Sequence, residues 1–170
     1  IALAKDHYNL ILTCIYSKEA LKELQENLEE QYHITCRILI GDVSDFSFIT
    51  KIFREIDSLD VLINNAGISY IGLLQDMPVD DWHHVMQTNL DSVFYTSKLS
   101  IPIMLQKKSG KIINISSIWG ASGASMEVAY SASKGAVNAY TKALAKELAP
   151  SNIQVNAIAC GVVDTDMNRC

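Results

Sequence analysis

Asp60-Val61-Leu62-Ile63-Asn64-Asn65-Ala66-Gly67 sets a short apolar run against two amides, an alanine and a glycine. The run has strand length and is too short for a helix, so it reads as a buried strand that ends where the backbone turns. The same pattern recurs on both sides of it. Asn9 to Cys14 (NLILTC) and Ile34 to Ile40 are apolar runs upstream, and Lys111 to Ser116 (KIINIS) and Ile153 to Ala159 are apolar runs downstream. Continuous apolar strands of this kind are buried on both faces, as in parallel sheets.

Between them lie stretches of helical period. Ser17 offers an N-cap with Glu19 in the first turn, and Leu21, Leu24 and Leu28 make one stripe of a helix ending near Gln31. Asp42-Val43-Ser44-Asp45 reads as a turn and cap before a second stripe of Ile49, Ile52, Phe53 and Ile56. Pro78 to about Gln106 is helical, with Pro102 expected to bend or interrupt its last part. Ser131 to Ala149 is a helix stopped by Pro150. Strands alternating with helices predict a single α/β domain: a doubly wound parallel sheet in a three-layer α/β/α sandwich.

The 170 residues are 49% hydrophobic and 19% charged, which suits one globular domain with a sizeable core. A formal net charge of -5 argues against a general nucleic-acid binder. Lys107, Lys108 and Lys111 are the one basic concentration, read as a solvated helix end. Cys14, Cys36, Cys160 and Cys170 have neither metal-ligand spacing nor a disulfide framework, which fits a reducing cytoplasm. The neighbours His83 and His84 point about 100° apart on a helix and are read as surface residues, so no metal site is expected. No apolar run approaches the ~20 residues of a membrane span, and no leader precedes the first strand, so a soluble protein is expected. Ile1 to Lys5 reads as the tail of a helix, so a first strand and phosphate-binding turn are expected upstream, and further sheet beyond Cys170.

Tyr130 and Lys134 stand four residues apart in Tyr130-Ser131-Ala132-Ser133-Lys134, which puts a phenol and an ammonium on one helix face. A free tyrosine has a pKa of about 10 and is a poor acid or base at neutral pH, whereas an adjacent cation favours the phenolate. The spacing by itself is common in unrelated helices. Its context is Asp42-Val43, Asn64 to Gly67, Ser116-Ser117 and Gly161 to Thr165, each at the carboxyl end of a predicted strand, where open parallel sheets bind ligands.

In the order and spacing of these motifs, over nearly its whole length, the chain resembles the short-chain dehydrogenase/reductase family, in a compact form like the 3-oxoacyl-[acyl-carrier-protein] reductases. The resemblance implies a Rossmann-type fold and a catalytic set of Asn89, Ser117, Tyr130 and Lys134. Ser117, thirteen positions before Tyr130, would polarise a substrate carbonyl. Tyr130 would donate a proton as hydride arrives from a nicotinamide, and Lys134 would lower the Tyr130 pKa and bind the nicotinamide ribose. Asn89 would hold a water linking Lys134 to solvent, a role compatible with its amide satisfying a local backbone kink. For the cofactor, the resemblance assigns Asp42 and Val43 to the adenine, Asn65, Ala66 and Gly67 to the turn beside the adenosine ribose, and Val163 and Thr165 to the nicotinamide amide. Asn64 would brace the sheet. Cys160 stands where the family normally has a proline, which could loosen the loop that follows.

After the first strand visible here, the chain reads Thr13-Cys14-Ile15-Tyr16-Ser17-Lys18 with no acid before Glu19. An acid there would favour NAD, whereas Ser17 and Lys18 suit a 2′-phosphate, so NADP(H) is favoured over NAD(H). The family's Gly-x-x-x-Gly-x-Gly loop would precede Ile1, and without it no helix N-terminus takes the pyrophosphate. Substrate readings stay open between a 3-oxoacyl group on acyl carrier protein, the 5-aminopentanone group on elongation factor P, and a non-catalytic dinucleotide-binding scaffold subunit. Trp119 to Val128 and the short connection before Asp60 resemble the elongation factor P reductases, with Glu127 able to face the cleft and pair with a substrate ammonium. For the carrier-protein reading, Lys107, Lys108 and Lys111 would form part of a basic docking patch, although Ser151 and Asn152 occupy places where a second basic residue is common. The resemblance also implies a homotetramer or homodimer built through the two long helices.

Overall fold

The computed structural model describes residues 1–164, arranged as two compact units, Ile1–Phe48 and the residues from Ile49 onward. In the first unit, α1 (Ala2–Lys5) is followed by β1 (Leu10–Cys14), α2 (Lys18–Tyr32) and β2 (Cys36–Ile40). β1 and β2 pair in parallel, Leu10 opposite Cys36 through Cys14 opposite Ile40. Ala4, Leu28, Ile34 and Cys36 form the buried core, with Leu10, Leu12 and Tyr32 packed on it. α2 ends one residue beyond the expected Gln31, where His33 takes a left-handed φ of 54° and its N–H caps the Glu29 carbonyl. Gln25 and Glu29 then tie the helix to the next strand: the Gln25 amide donates to the Cys36 carbonyl and the Cys36 N–H donates to Glu29 Oε1.

α3 (Phe46–Phe53) carries the chain into the second unit. There β3 (Val61–Asn64) and α4 (Val79–Met86) lead into a π-helical stretch, Gln87–Asp91, and on into α5 (Ser92–Lys107). β4 (Gly110–Ser117), α6 (Trp119–Ser122), α7 (Val128–Leu148) and β5 (Ile153–Cys160) complete it. The sheet order is β3-β4-β5, all parallel. Met104, Ile112, Leu144, Leu148, Ile153 and Val155 are its buried core.

All five predicted strands form, and every pairing is parallel. This is the Rossmann-type α/β fold expected, its hydrogen-bonded strands falling in the orders β1-β2 and β3-β4-β5 among the described residues. Successive right-handed crossovers that advance in one direction put their helices on one face, and β3-β4-β5 advances without reversal. α5 and α7 accordingly reach the same side, where Thr96 bonds Asn64 and Thr141 bonds Asn114, while Ile63 and Ile158 on the opposite side stay 43% and 52% exposed.

Pro102 does not interrupt its helix, which runs on to Lys107. Ile101 and Met104 beside it pack into the core, and that burial offsets the one backbone hydrogen bond a proline forgoes. The irregularity falls instead at Gln87–Asp91, where an extra residue per turn re-aims the chain, as π-bulges at functional sites often do.

Asn114 sits with no exposed surface at the centre of the three-stranded sheet. Its Oδ1 accepts from Asn64 Nδ2 at 2.8 Å, its Nδ2 donates to Thr141 Oγ1 at 2.9 Å, and Thr96 donates to Asn64 Oδ1 at 2.7 Å. Asn64 therefore braces the sheet, as the sequence suggested. Asn114→Ala takes a partner from the half-buried Asn64 amide and from the buried Thr141 hydroxyl, and we expect a loss of about 2 kcal/mol in unfolding free energy, measured by denaturant titration.

Candidate active site

The carboxyl ends of β3, β4 and β5 converge with the first turns of α7 and the π-helical stretch, all within the second unit. Between them a cleft opens, lined by Ser69, Ser117, Trp119, Glu127, Tyr130 and Val162 among others. Tyr130 falls in the first turn of α7, which begins at Val128 rather than Ser131 because the Ser131 N–H bonds the Glu127 carbonyl at 2.9 Å. Ser117 is the last residue of β4 and is buried; its hydroxyl accepts from the Trp119 N–H at 3.2 Å and interacts with the Tyr130 phenol. Ser116 turns away, its hydroxyl donating to the Lys134 carbonyl at 3.3 Å.

Lys134 is 4% exposed, and its Nζ donates to the Ile115 carbonyl at 2.8 Å, 5.6 Å from the Tyr130 ring centroid. The expectation that Lys134 lowers the Tyr130 pKa is not met. Half-burial pushes the phenol above its usual value of 10.0, the Ser117 hydrogen bond opposes this, and the Glu127 carboxylate and Cys160 push it up further. Burial likewise pulls the Lys134 ammonium below its usual value, partly offset by Cys160. The physical reason is placement: the ammonium spends its short contact on a carbonyl rather than on the phenol oxygen.

Asn89 is 1% exposed in the π-helical stretch. Its Oδ1 accepts from the Ile68 N–H at 2.8 Å, and its Nδ2 donates to the Ile68 carbonyl and to Ser133 Oγ, each at 2.9 Å. The amide thus satisfies the backbone at the helix irregularity, a role compatible with the water relay that the resemblance implies. Ser133 passes the link on, donating to the Tyr130 carbonyl at 2.8 Å. Gly67 lies against both partners: a Cβ there would come within 3.3 Å of Asn89 Oδ1 and of Lys134 Nζ. Ser133 and Ile68 were missed as site residues, although Ser133 stands inside the Tyr130-to-Lys134 stretch. Its burial is a tertiary fact that spacing does not reveal.

Glu127 lines the cleft, and Ser69 donates to its Oε2 at 2.9 Å. Asn65 and Ala66 are exposed where β3 ends, and Val163 is exposed beyond β5, while Thr165 lies outside the described residues. Cys160 extends the pairing of β5 with β4 to Ser117, where a proline would have removed a donor, and it is half-buried rather than sealed in the core. In the first unit, Asp42 Oδ1 accepts from the Ser44 N–H at 2.8 Å, closing the turn that presents Val43. Asp45 caps α3, its two oxygens taking the Ser47 N–H at 2.8 Å and hydroxyl at 2.9 Å, which lowers its pKa. Ser17 sits at the N-cap of α2 without a side-chain capping bond, and Lys18 is exposed. His83 and His84 are exposed, and no cluster of metal-ligating residues occurs among the described residues. Nor is any helix among them long and apolar enough to cross a membrane.

The basic cluster lies away from the cleft. Lys107 pairs with Asp60, and Lys111 is the second residue of the strand that Ser117 closes, six residues or about 20 Å away.

The family model for short chain dehydrogenases matches residues 1–170. An uncharacterized oxidoreductase of Bacillus subtilis, YmfI, is 40% identical over 166 residues, covering 97% of this chain and 69% of that protein. The 3-oxoacyl-[acyl-carrier-protein] reductase FabG of Aquifex aeolicus is 37% identical over 155 residues, 89% of this chain and 62% of that one. Among solved structures, a gluconate 5-dehydrogenase from Burkholderia cenocepacia, crystallised with NADP and tartrate, superposes with a TM-score of 0.87 at 29% identity, over 98% of this chain and 66% of that one. The chain thus spans roughly two thirds of the length of these proteins. With the strand-end motifs, the serine against the tyrosine and the buried lysine behind them, it belongs to the short-chain dehydrogenase/reductase family of oxidoreductases.

Proposed function

We propose that the protein is an NADP(H)-dependent ketoreductase of the 3-oxoacyl-[acyl-carrier-protein] reductase type. The observation that carries this reading is the Ser117 hydroxyl against the Tyr130 phenol at one wall of a cleft, with the Lys134 side chain buried behind them. Two hydroxyls that meet at one point can both address a carbonyl oxygen: Ser117 polarises it, and Tyr130 delivers the proton as it becomes an alcohol. The phenol's raised pKa keeps it protonated at neutral pH, the form a donor needs.

The strand ends suit a dinucleotide. Gly161 has open space where a Cβ would stand, and Gly67 leaves the backbone bare beside Lys134. Bound NADPH supplies the hydride. Asn65, Ala66 and Gly67 would line the turn beside its adenosine ribose, Val163 and Thr165 would meet its nicotinamide amide, Asp42 and Val43 its adenine, and Ser17 and Lys18 its 2′-phosphate. The uncommitted Ser17 hydroxyl and exposed Lys18 support the phosphate reading.

One observation favours a second substrate. Of the described residues lining the cleft, Glu127 is the one with a formal charge, and a carboxylate suits the ammonium of a 5-aminopentanone group on elongation factor P. The distance of Lys107, Lys108 and Lys111 from the cleft leaves a carrier protein to dock through other residues. We further propose a cytoplasmic homotetramer or homodimer, assembled through the long helices α4–α5 and α7.

The test is NADPH and NADH oxidation by the full-length protein with 3-oxoacyl carrier protein and with aminopentanone-modified elongation factor P. NADPH is expected to be preferred, and Lys18→Glu to cut that preference about tenfold, the loss of one charged phosphate contact. Equal use of NADH, unchanged by Lys18→Glu, sinks the NADP assignment, and reduction of neither ketone sinks both substrates.

A further inference from the structure

Glu127 is held in the cleft by the fold around it. Met126, just before it, takes a left-handed φ of 65°, uncommon for a residue with a side chain, and its carbonyl accepts from the Gly72 N–H at 2.8 Å. That turn delivers Glu127 to the N-cap position of α7, where Ser69 grips Oε2. Tyr130 follows three positions later, one helical turn on, and lines the same cleft. Trp119 lines it too, and an indole face attracts cations.

The groups bearing on the phenol come from three elements. Glu127, at the head of α7, and Cys160, at the end of β5, raise its pKa; the Ser117 hydroxyl on β4 lowers it. Lys134, also on α7, directs its ammonium to the Ile115 carbonyl.

We propose that Glu127 couples the charge of the substrate to proton donation by Tyr130: a ketone carrying a cationic group offsets the carboxylate and eases release of the proton, whereas a neutral ketone leaves the carboxylate opposing it. This rests on Tyr130 as the proton donor in carbonyl reduction, and adds that the cleft selects substrates through the chemical step as well as through binding. In that step hydride from NADPH reaches the carbonyl carbon, the carbonyl π pair moves to oxygen, and the Tyr130 proton completes the alcohol. The tyrosinate left behind is the species a neighbouring carboxylate repels. Removing that repulsion lowers the phenol's pKa, and reduction is lost as pH rises through it. The alkaline limb of the rate profile therefore falls at lower pH for a cationic ketone, with a faster plateau.

Two methyl ketones of equal length test this in the full-length protein, one ending in trimethylammonium and the other in its uncharged tert-butyl isostere. Neither titrates. Wild type is expected to reduce the cationic ketone with a kcat about three- to tenfold higher, and with an alkaline limb lower by about half to one pH unit. Glu127→Gln keeps the shape and can still accept from Ser69. It should bring the two limbs together at the lower position and abolish the kcat difference. Coincident limbs in wild type, or a change in KM alone on Glu127→Gln, overturn the coupling while leaving the ketoreductase reading intact. Failure of wild type to reduce either ketone overturns both.

Discussion

Tyr130→Phe is expected to lower ketone reduction by about 10²- to 10⁴-fold, the range a positioned proton donor contributes. The ring and its packing persist, so NADPH affinity, measured by fluorescence titration, should stay within about twofold, a few tenths of a kcal/mol. What is lost is the phenol that would protonate the nascent alkoxide while sharing a hydrogen bond with Ser117. The wild-type profile fixes the sign independently. Because half-burial, Glu127 and Cys160 raise the phenol's pKa, reduction should hold through neutral pH and fall only on the alkaline side of tyrosine's usual 10.0, unless a substrate or cofactor charge offsets them. If wild type and variant bind NADPH equally and neither reduces any ketone, the chain is a dinucleotide-binding scaffold rather than a catalyst.

Gly120→Ala, with no group of its own in the chemistry, should have the next largest effect. Gly120 lies in α6, and a Cβ there would sit 2.6 Å from the Lys134 carbonyl carbon and 2.8 Å from its oxygen. Both are backbone atoms, so no side-chain rotation relieves the clash. Gly135 meets α6 from the other side, where a Cβ would stand 3.2 Å from the Gly120 carbonyl oxygen. The two helices touch through bare backbone, and a methyl must push α7 outward near Tyr130 and Lys134. Overpacking of this kind costs about 1–3 kcal/mol. A displacement near 1 Å at the catalytic turn can remove about 100-fold in rate. Denaturant titration and kcat measured together check this: a stable variant with wild-type kcat would show that α6 yields instead.

The residues of the site were legible because the motifs mark strand ends. Asn64 to Gly67 and Ser117 fall where apolar runs stop, Tyr130 and Lys134 share one face of a helix, and the structure gathers them at the carboxyl edge of one three-stranded sheet. Less legible were partnerships set by packing. The Asn89 amide bonds Ile68 and Ser133 because a π-helical insertion turns it inward, a partnership the spacing of Thr88-Asn89-Leu90 does not show. The Lys107 cluster suggested a docking patch, but strand direction carries Lys111 to the end of β4 opposite Ser117. Pro102 signalled a break that neighbouring burial overrode.

From the sequence alone come the parallel strands and the alternation with helices, which rest on apolar period, and the candidate catalytic side chains, which rest on motif order and family resemblance. Tertiary structure decided what those side chains experience. Whether Lys134 lowers the Tyr130 pKa depends on where an ammonium on a flexible stem finds its nearest acceptor, and here that is the Ile115 carbonyl. Whether Glu127 is a surface acid or a charge in the cleft depends on a left-handed Met126 and the Ser69 hydroxyl. Local pattern fixes which groups are present; burial and Coulomb interactions vary over a few ångströms, which only the folded chain sets.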